Sequence, residues 1–229
     1  MNWGNKNILK NLNIRLNEGE KLAIVGPSGA GKSTILKILA GLILPTEGKL
    51  KIFGEIQNYL RLDQINPPDV RLVFQNPALL GSLTIEENVG FILYRSKNFS
   101  KKVIKELVNE CLEEVGLFNI SHKLPNELSG GMQKRVSFAR ALINQSTNSP
   151  KKRPLLLFDE PTAGLDPIAS SRIEDLINKT NTKVKGSSIV VSHVLSTIER
   201  TSTRVLMLYG GKFRWEGTCL LYTSDAADD

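Results

Sequence analysis

The fold of this chain is decided by an eight-residue stretch with three glycines, Gly26-Pro27-Ser28-Gly29-Ala30-Gly31-Lys32-Ser33. The residues before it, from Lys21 to Val25, are apolar after the lysine and predict a buried strand. The residues after it, from Thr34 to Leu42, carry apolar side chains at helical spacing. A strand, a glycine-rich turn and a helix in this order are the setting in which such a turn binds phosphate groups.

The chemistry of this turn follows from its backbone. The glycines let successive N–H groups point inward at phosphate oxygens, and the N-terminus of the next helix adds roughly half a positive charge behind them. We expect Lys32 to reach the β- and γ-phosphates of a nucleotide and the Ser33 hydroxyl to ligate Mg²⁺. The nucleotide contacts are expected to extend from Gly26 through Thr34. A chance glycine-rich turn is the alternative, and the flanking strand and helix argue against it.

A second segment ends in two carboxylates. Leu155 to Phe158 is continuously apolar, as in a strand buried on both faces of a parallel sheet. Asp159 and Glu160 follow at its carboxyl end, where ligands bind in open α/β sheets. Because adjacent side chains of a strand point opposite ways, we predict that Asp159 holds Mg²⁺ while Glu160 polarises the attacking water. An ordinary solvated strand end is the alternative.

A third segment, Leu128-Ser129-Gly130-Gly131-Met132-Gln133, is a second glycine-rich turn that opens a helix. Ser129 is a good N-cap, and Gly130 and Gly131 leave backbone N–H groups exposed at the start of a helix predicted from Met132 to Ile143. Such a helix start is a second anion site. A plain capped helix start is the alternative.

The third segment resembles the signature motif of ABC-type ATPases. Other family elements stand in family order: Gln75 looks like the Q-loop glutamine, the stretch from Ala163 to Asp166 looks like the D-loop, and His193 looks like the switch histidine. The resemblance runs from about Asn7 to about Thr218. It implies a P-loop NTPase (RecA-like) α/β core, with an antiparallel β subdomain and an inserted α-helical subdomain that carries the signature.

The resemblance also implies roles and partners. It implies a head-to-tail homodimer with two ATP molecules, in which Ser129, Gly130 and Gly131 of one chain contact the γ-phosphate held by the other. Gln75 is implied as a catalytic residue and Mg²⁺ ligand, and His193 as a sensor of the γ-phosphate. The same family pattern places Asp166 at the nucleotide and gives Trp3 the role of stacking on the adenine. A frayed terminal tryptophan is the alternative for Trp3.

A finer resemblance points to the ATPases of MCE-linked lipid transporters, the Mla-type phospholipid systems and their cyanobacterial and plastid relatives. It rests on five stretches: Leu79 to Thr84, Glu87 to Phe91, Asp159 to Ser170, Ser196 to Ile198 and Gly211 to Gly217. It implies a membrane permease whose coupling helix contacts Asn76 to Tyr94, and an MCE-domain protein as a further partner. Import or export of another solute, and a non-transport ABC role, remain alternatives.

Composition limits which partners and which cellular location are expected. The net charge of +7 comes from 30 basic and 23 acidic residues that are widely spread, so DNA or RNA binding is not expected, whereas contact with an acidic membrane surface is compatible. The 2 cysteines lack CxxC spacing. Cys111 falls on a predicted amphipathic helix as a core residue, and His122 lies in a polar stretch. With no apolar run of roughly 18 residues, the protein is expected to be soluble on the cytosolic side. The resemblance then implies the cytoplasmic face of the inner or plasma membrane, or the stromal side in a plastid.

The organisation along the chain is predicted as one ABC ATPase domain over residues 1–219, with the helical subdomain at about 77–145. Alternation of Leu12, Ile14 and Leu16 with polar residues predicts a half-buried strand, and Leu50 with Ile52 predicts another. A hairpin is predicted near residues 205–215. The small and acidic residues 220–229 are expected to be a disordered or artefactual tail.

Overall fold

The computed structural model describes residues 2–3, 6–65, 67–96, 98–143 and 153–225. The strands are β1 (Asn2–Trp3), β2 (Lys6–Asn7), β3 (Lys21–Val25), β4 (Lys51–Ile52), β5 (Glu55–Ile56), β6 (Val70–Val73), β7 (Leu155–Asp159), β8 (Ser187–Val191), β9 (Arg204–Tyr209) and β10 (Lys212–Thr218). The α-helices are α1 (Lys32–Leu39), α2 (Ile85–Ser96), α3 (Lys101–Glu114), α4 (Gly130–Leu142), α5 (Pro167–Val184), α6 (Leu195–Thr201) and α7 (Cys219–Asp225). Short 3₁₀ turns cover Arg61–Asp63 and Pro125–Glu127.

A six-stranded sheet in the order β10-β9-β3-β8-β7-β6 carries the fold. From β9 to β6 the neighbours are parallel, and β10 is added antiparallel through a hairpin with β9. All five residues of β7 are buried, and successive residues enter opposite clusters: Leu157 packs on the side of α1, and Phe158 packs on the side of the other helices. The apolar runs therefore form strands covered on both faces, as predicted.

The helices between β6 and β7 form a layer against one face of the sheet. Helices α2 and α3 approach closely at Gly90, where a β-carbon would lie 3.0 Å from a methyl group of Ile104. Helix α4 reaches the sheet through Phe138, whose ring stacks on Phe158 of β7 with centroids 5.4 Å apart. The signature-like segment at the start of α4 is thus tied to the acidic strand by a buried aromatic pair. Cys111 on α3 is buried and His122 is exposed, as predicted.

The predicted half-buried strand at Leu12, Ile14 and Leu16 is wrong in one respect. These three side chains are partly buried and the polar ones between them are exposed, so the alternation is confirmed. The segment is nevertheless not assigned to a sheet within the described part of the chain. Side-chain alternation reports which side faces the core, whereas a ladder also needs a neighbouring strand at the correct distance. Outside the six-stranded sheet, the described antiparallel pairing is accordingly small, and consists of the two-residue pairs β1–β2 and β4–β5.

The tail from residue 220, predicted to be disordered or artefactual, overlaps α7, which runs to Asp225, so its first residues are helical rather than disordered. Apolar contacts explain the helix. Cys219 is buried, and the ring of Tyr222 lies 5.9 Å from that of Trp215 on β10. Residues 226–229 lie outside the described part of the chain. Among the helices that the structure does describe, none combines the length and the apolar character needed to cross a bilayer.

Candidate functional site

The glycine-rich turn joins β3 to α1 at the carboxyl end of the sheet. Its backbone needs glycine at Gly26, where φ is 144° and a β-carbon would lie 2.2 Å from the carbonyl oxygen of Leu208 on β9. Gly29 and Gly31 also have positive φ, at 75° and 103°. The turn lies outside the sheet, and Pro27, Ser28 and Gly29 are all exposed. The backbone thus forms an open loop at the N-terminus of α1, as a phosphate site requires.

Lys32 is folded over this loop. It is 9% exposed, and its Nζ donates to the carbonyl oxygens of Gly26 at 2.7 Å and Pro27 at 3.0 Å. Since an ammonium has three donors, the loop alone does not exhaust its hydrogen-bonding capacity. The next residue, Ser33, donates from Oγ to Oδ1 of Asp159 at 2.9 Å. The structure therefore brings the adjacent lysine and hydroxyl together with the first carboxylate, which lies far from both in sequence.

Two carboxylates stand at the end of β7, and both are largely buried, with 7% exposure for Asp159 and 9% for Glu160. Burial raises the pKa of Asp159, and the Ser33 hydrogen bond partly opposes that rise. Glu160 is no longer part of the strand, because its φ is +45°. The prediction that the two side chains alternate as strand neighbours is therefore wrong. The left-handed backbone of Glu160, rather than the pleat, separates the two side chains.

Glu160 lies beside His193, which follows β8. Nδ1 of the histidine is 2.9 Å from Oε2 of the glutamate, and the histidine side chain is 64% exposed. Oε2 is buried and accepts no hydrogen bond from the described residues, and its contact with the ring nitrogen is an ion pair only when the imidazole is protonated. A buried carboxylate oxygen without a donor is costly unless water or substrate supplies one. This oxygen is therefore placed to accept a hydrogen bond from a water molecule at the end of β7.

The signature-like turn is built as predicted at the start of α4. Ser129 caps the helix, since its Oγ accepts from the N–H of Met132 at 3.3 Å. Ser129 and Gly130 are exposed, while Gln133 folds back and donates to the carbonyl of Pro125 at 2.9 Å. Gly131 is partly buried near Leu165, where a β-carbon would lie 3.9 Å from a methyl group. Ser129 and Gly130 at this helix start are thus open to solvent in the single chain.

Three further predicted residues lie around these elements. Gln75 is exposed two residues after β6. Asp166 caps α5, and its Oδ1 accepts from the N–H of Ala169 at 2.9 Å. Trp3 lies in β1, and its side chain is outside the described part of the structure. Thr34 is partly buried in the first turn of α1.

Sequence reasoning missed two cations of α4 that bind the segments around the site. Lys134 donates from Nζ to the carbonyl of Ala163 at 2.5 Å, in the turn after Glu160. Arg140 donates to the carbonyl of Ala78 at 2.9 Å, in the segment after Gln75. A signal was available for Lys134, because it lies four residues before Phe138 on a buried helix face.

Comparison with known proteins shows which family this chain resembles. Residues 9–163 match the family described as ABC transporter. The protein TRIGALACTOSYLDIACYLGLYCEROL 3, chloroplastic, of Arabidopsis thaliana is 46% identical over 232 residues, which cover 97% of this chain and 67% of that protein. The methionine import ATP-binding protein MetN of Clostridium tetani is 38% identical, with coverage of 92% and 64%. The intermembrane phospholipid transport system ATP-binding protein MlaF of Haemophilus influenzae is 34% identical, with coverage of 94% and 80%.

Solved structures agree on the fold. A dimeric post-hydrolysis structure of the ATP-binding cassette MJ0796, bound to ADP and Pi, superposes with a TM-score of 0.80 at 33% identity, covering 93% of this chain and 90% of that one. The fold class predicted from the sequence and the expectation of an ATPase are confirmed. The chain belongs to the ABC transporter family, as one of its ATP-hydrolysing members.

Proposed function

We propose that this chain powers the transport of phospholipid or a related lipid, by hydrolysing ATP as one of a pair of ATPase subunits bound to a membrane permease. The observation that carries the hydrolytic part is the position of Glu160, whose buried Oε2 has no donor among the described residues and lies at the strand end beside the glycine-rich turn. The names and similarity of two relatives, the Arabidopsis thaliana protein and MlaF, support the lipid part.

The triphosphate site is assigned to the turn from Gly26 to Thr34. N–H groups of the turn and the N-terminus of α1 face the phosphates, and Lys32 exchanges its carbonyl partners for phosphate oxygens when ATP binds. The hydroxyl of Ser33 and the carboxylate of Asp159 are hard oxygen donors 2.9 Å apart, a pair that fits Mg²⁺. Gln75 completes the proposed ligand set. When bound, Mg²⁺ neutralises charge that develops on the phosphate oxygens.

In this proposal Glu160 is the general base. Its Oε2 accepts a proton of the attacking water, and burial keeps bulk water from competing for that oxygen. His193 stands beside the same oxygen with an exposed ring, and is proposed to reach the γ-phosphate and to orient the water. Trp3 is proposed to stack on the adenine. The contribution expected of a positioned base is about 10²–10⁴-fold in rate.

The second half of the phosphate clamp is assigned to another copy of the chain. Ser129 and Gly130 are exposed, so the anion site at the start of α4 is open to a partner. The dimeric structure of the MJ0796 cassette, with ADP and Pi bound, supports a pair of this kind. Asp166 is proposed to contact the nucleotide across the same interface.

The permease is proposed to dock against the segment from Asn76 to Tyr94. Leu80, Phe91 and Ile92 in this segment are apolar and 46%, 41% and 49% exposed. An MCE-domain protein is the further partner of the lipid proposal, and the complex is placed on the cytoplasmic face of the inner or plasma membrane, or on the stromal side in a plastid. Import of another solute is the second candidate, because the methionine importer MetN is also a relative.

The hydrolytic proposal is tested with Glu160→Gln. We expect this variant to bind ATP and to form a stable dimer on size-exclusion chromatography, while phosphate release falls at least about 100-fold. Glu199→Gln, a change of an exposed glutamate on α6, is the matched control and should hydrolyse ATP normally. Normal phosphate release by Glu160→Gln would remove Glu160 as the base.

The lipid proposal needs the assembled complex. The chain is co-purified with its permease, and lipids bound to the complex are identified by mass spectrometry. We expect phospholipid vesicles to stimulate the ATPase rate of the complex, whereas methionine should not. Stimulation by methionine with no bound lipid would select the solute importer instead.

A further inference from the structure

Helix α4 carries three cations that each donate to backbone carbonyls of a different segment. Arg135 donates from Nη1 to Gly116 at 3.0 Å, at the end of α3. Arg140 donates from Nη1 to Ala78 at 2.9 Å, after β6. Lys134 donates to the turn after β7. The contact of Arg135 joins two helices of the same layer. The contact of Lys134 instead joins that layer to the turn that follows the two carboxylates at the end of β7.

Lys134 is buried in an unusual way. It is 9% exposed, and its Nζ donates to the carbonyl oxygens of Ala163 at 2.5 Å and Pro161 at 3.3 Å. Within the described part of the chain no carboxylate forms an ion pair with it. Burial lowers its pKa, and the negative charge of Glu160 opposes that shift. A buried ammonium held only by carbonyls costs free energy that an apolar side chain would not.

The turn that Lys134 contacts begins at Glu160. The N–H of Glu160 donates to Val191 at 2.9 Å, and the N–H of Ala163 donates back to Glu160 at 3.2 Å. Glu160 itself has a φ of +45°, a conformation that a residue with a side chain keeps only when its surroundings impose it. The position of the carboxylate therefore depends on whatever holds this turn in place.

A second anchor holds the same turn from the other side. Oγ1 of Thr162 lies 2.8 Å from Oγ1 of Thr197 on α6, and Thr197 donates to Oε1 of the buried Glu174 at 2.8 Å. This anchor lies entirely within the core of the fold. Lys134 supplies the corresponding anchor from the helix that begins with Ser129, so the turn is fixed between α6 and α4.

We propose that Lys134 is a positioning residue for hydrolysis: by holding the carbonyls of Pro161 and Ala163 to the signature helix, it fixes the left-handed turn that aims Glu160. This inference rests on the proposed role of Glu160 as the base. Lys134 thereby fixes the Glu160 carboxylate relative to the start of α4. In the proposed dimer that helix start contacts the nucleotide bound by the other copy of the chain.

Lys134→Met tests this, because methionine keeps much of the side-chain length but has no donor. We expect kcat for ATP to fall about 10–100-fold while KM changes less than about two-fold, since the base is displaced and the phosphate loop is untouched. Lys134→Gln retains an N–H donor and should recover most of the loss. Arg135→Gln, which removes a charge that binds carbonyls one residue along the same helix, should leave kcat within about two-fold of wild type.

Hydrogen exchange gives a readout that does not depend on turnover. In the nucleotide-free protein, the amides of Ala163 and Leu165 are hydrogen-bonded within the turn. Lys134→Met should raise their exchange rates at least about 10-fold, and Arg135→Gln should not. In a Glu160→Gln background, Lys134→Met should lower the residual rate no further, because both changes act through one carboxylate.

The outcomes separate the two proposals. A Lys134→Met protein with near wild-type kcat, or with unchanged exchange at Ala163, overturns the positioning role even if Glu160 proves to be the base. Equal hydrolysis by wild type and Glu160→Gln overturns the proposed base, and the exchange experiment then decides alone whether Lys134 holds the turn. If Lys134→Met does not fold, Lys134→Ala, which also lacks a donor, is compared with Lys134→Gln, and equal exchange rates at Ala163 in these two variants refute the inference.

Discussion

Replacing Glu160 by glycine is expected to give a more stable nucleotide-free protein than replacing it by alanine. The reason is the φ of +45° at this position. A left-handed backbone costs a residue with a β-carbon about 1–2 kcal/mol, a cost that glycine avoids. Glycine loses about 0.4–1 kcal/mol relative to alanine through the greater freedom of its unfolded chain. Subtracting the middle of the second range from the middle of the first, we expect the free energy of unfolding of Glu160→Gly to exceed that of Glu160→Ala by about 0.8 kcal/mol.

Urea unfolding followed by circular dichroism measures this difference. In a protein of this size, about 1 kcal/mol corresponds to a shift of about 2–4 °C in melting temperature, so a thermal scan gives a second estimate. The control pair is Glu199→Gly and Glu199→Ala on the exposed side of α6, where the order should reverse and alanine should lead by about 1 kcal/mol. If alanine is as stable as glycine at position 160, the turn is not constrained as described.

Three other changes test the site and its support. Gly26→Ala should lower the free energy of unfolding in urea by about 1–3 kcal/mol more than Gly19→Ala does. A β-carbon at position 26 would lie 2.2 Å from the carbonyl oxygen of Leu208, whereas one at position 19 would meet open space. Equal losses for the two variants would contradict this packing. Phe138→Ala should cost about 3–5 kcal/mol in the same assay, since its ring is 1% exposed and stacked, and a loss below about 1 kcal/mol would be inconsistent with a core position. Asp159→Asn should raise the melting temperature of the nucleotide-free protein at neutral pH, because burial raises the pKa of Asp159 and its ionised form therefore opposes folding. That opposition grows as pH rises from the ordinary carboxyl range through the raised pKa, so the gain should vanish in acid, and a gain that persists there would refute it.

The central strands and the phosphate turn were predictable because their signals are local. Leu22 to Val25 and Leu155 to Phe158 are continuous apolar runs followed by a glycine and by carboxylates, and parallel strands buried on both faces have this composition. The contact between Ser33 and Asp159 was also predictable, since β3 and β7 end at the same edge of the sheet. The apolar runs were sufficient to predict the strands, and the strand–turn–helix order was sufficient to predict that Ser33 lies close to Asp159.

The remaining features depend on contacts that no local pattern contains. The backbone of Glu160 follows from the turn around it, and a glutamate carries no sequence signal for positive φ. The spacing of Lys134 from Phe138 places it on a buried helix face, but neither this spacing nor its helix propensity indicates which carbonyl oxygens its ammonium binds. The helix from Cys219 to Asp225 depends on packing against Trp215, which the acidic composition of the last residues concealed.

The contacts of Arg140 with Pro77 and Ala78 have a mechanical consequence. Arg71 on β6 adds a contact in the opposite sense, to the carbonyl of Ala141 near the end of α4. Because these hydrogen bonds attach the segment after Gln75 to the carboxyl-terminal half of α4, we expect a displacement of that segment to move the helix as a rigid body. Movement of a membrane partner docked on this segment would then shift the signature-like turn at the N-terminus of α4.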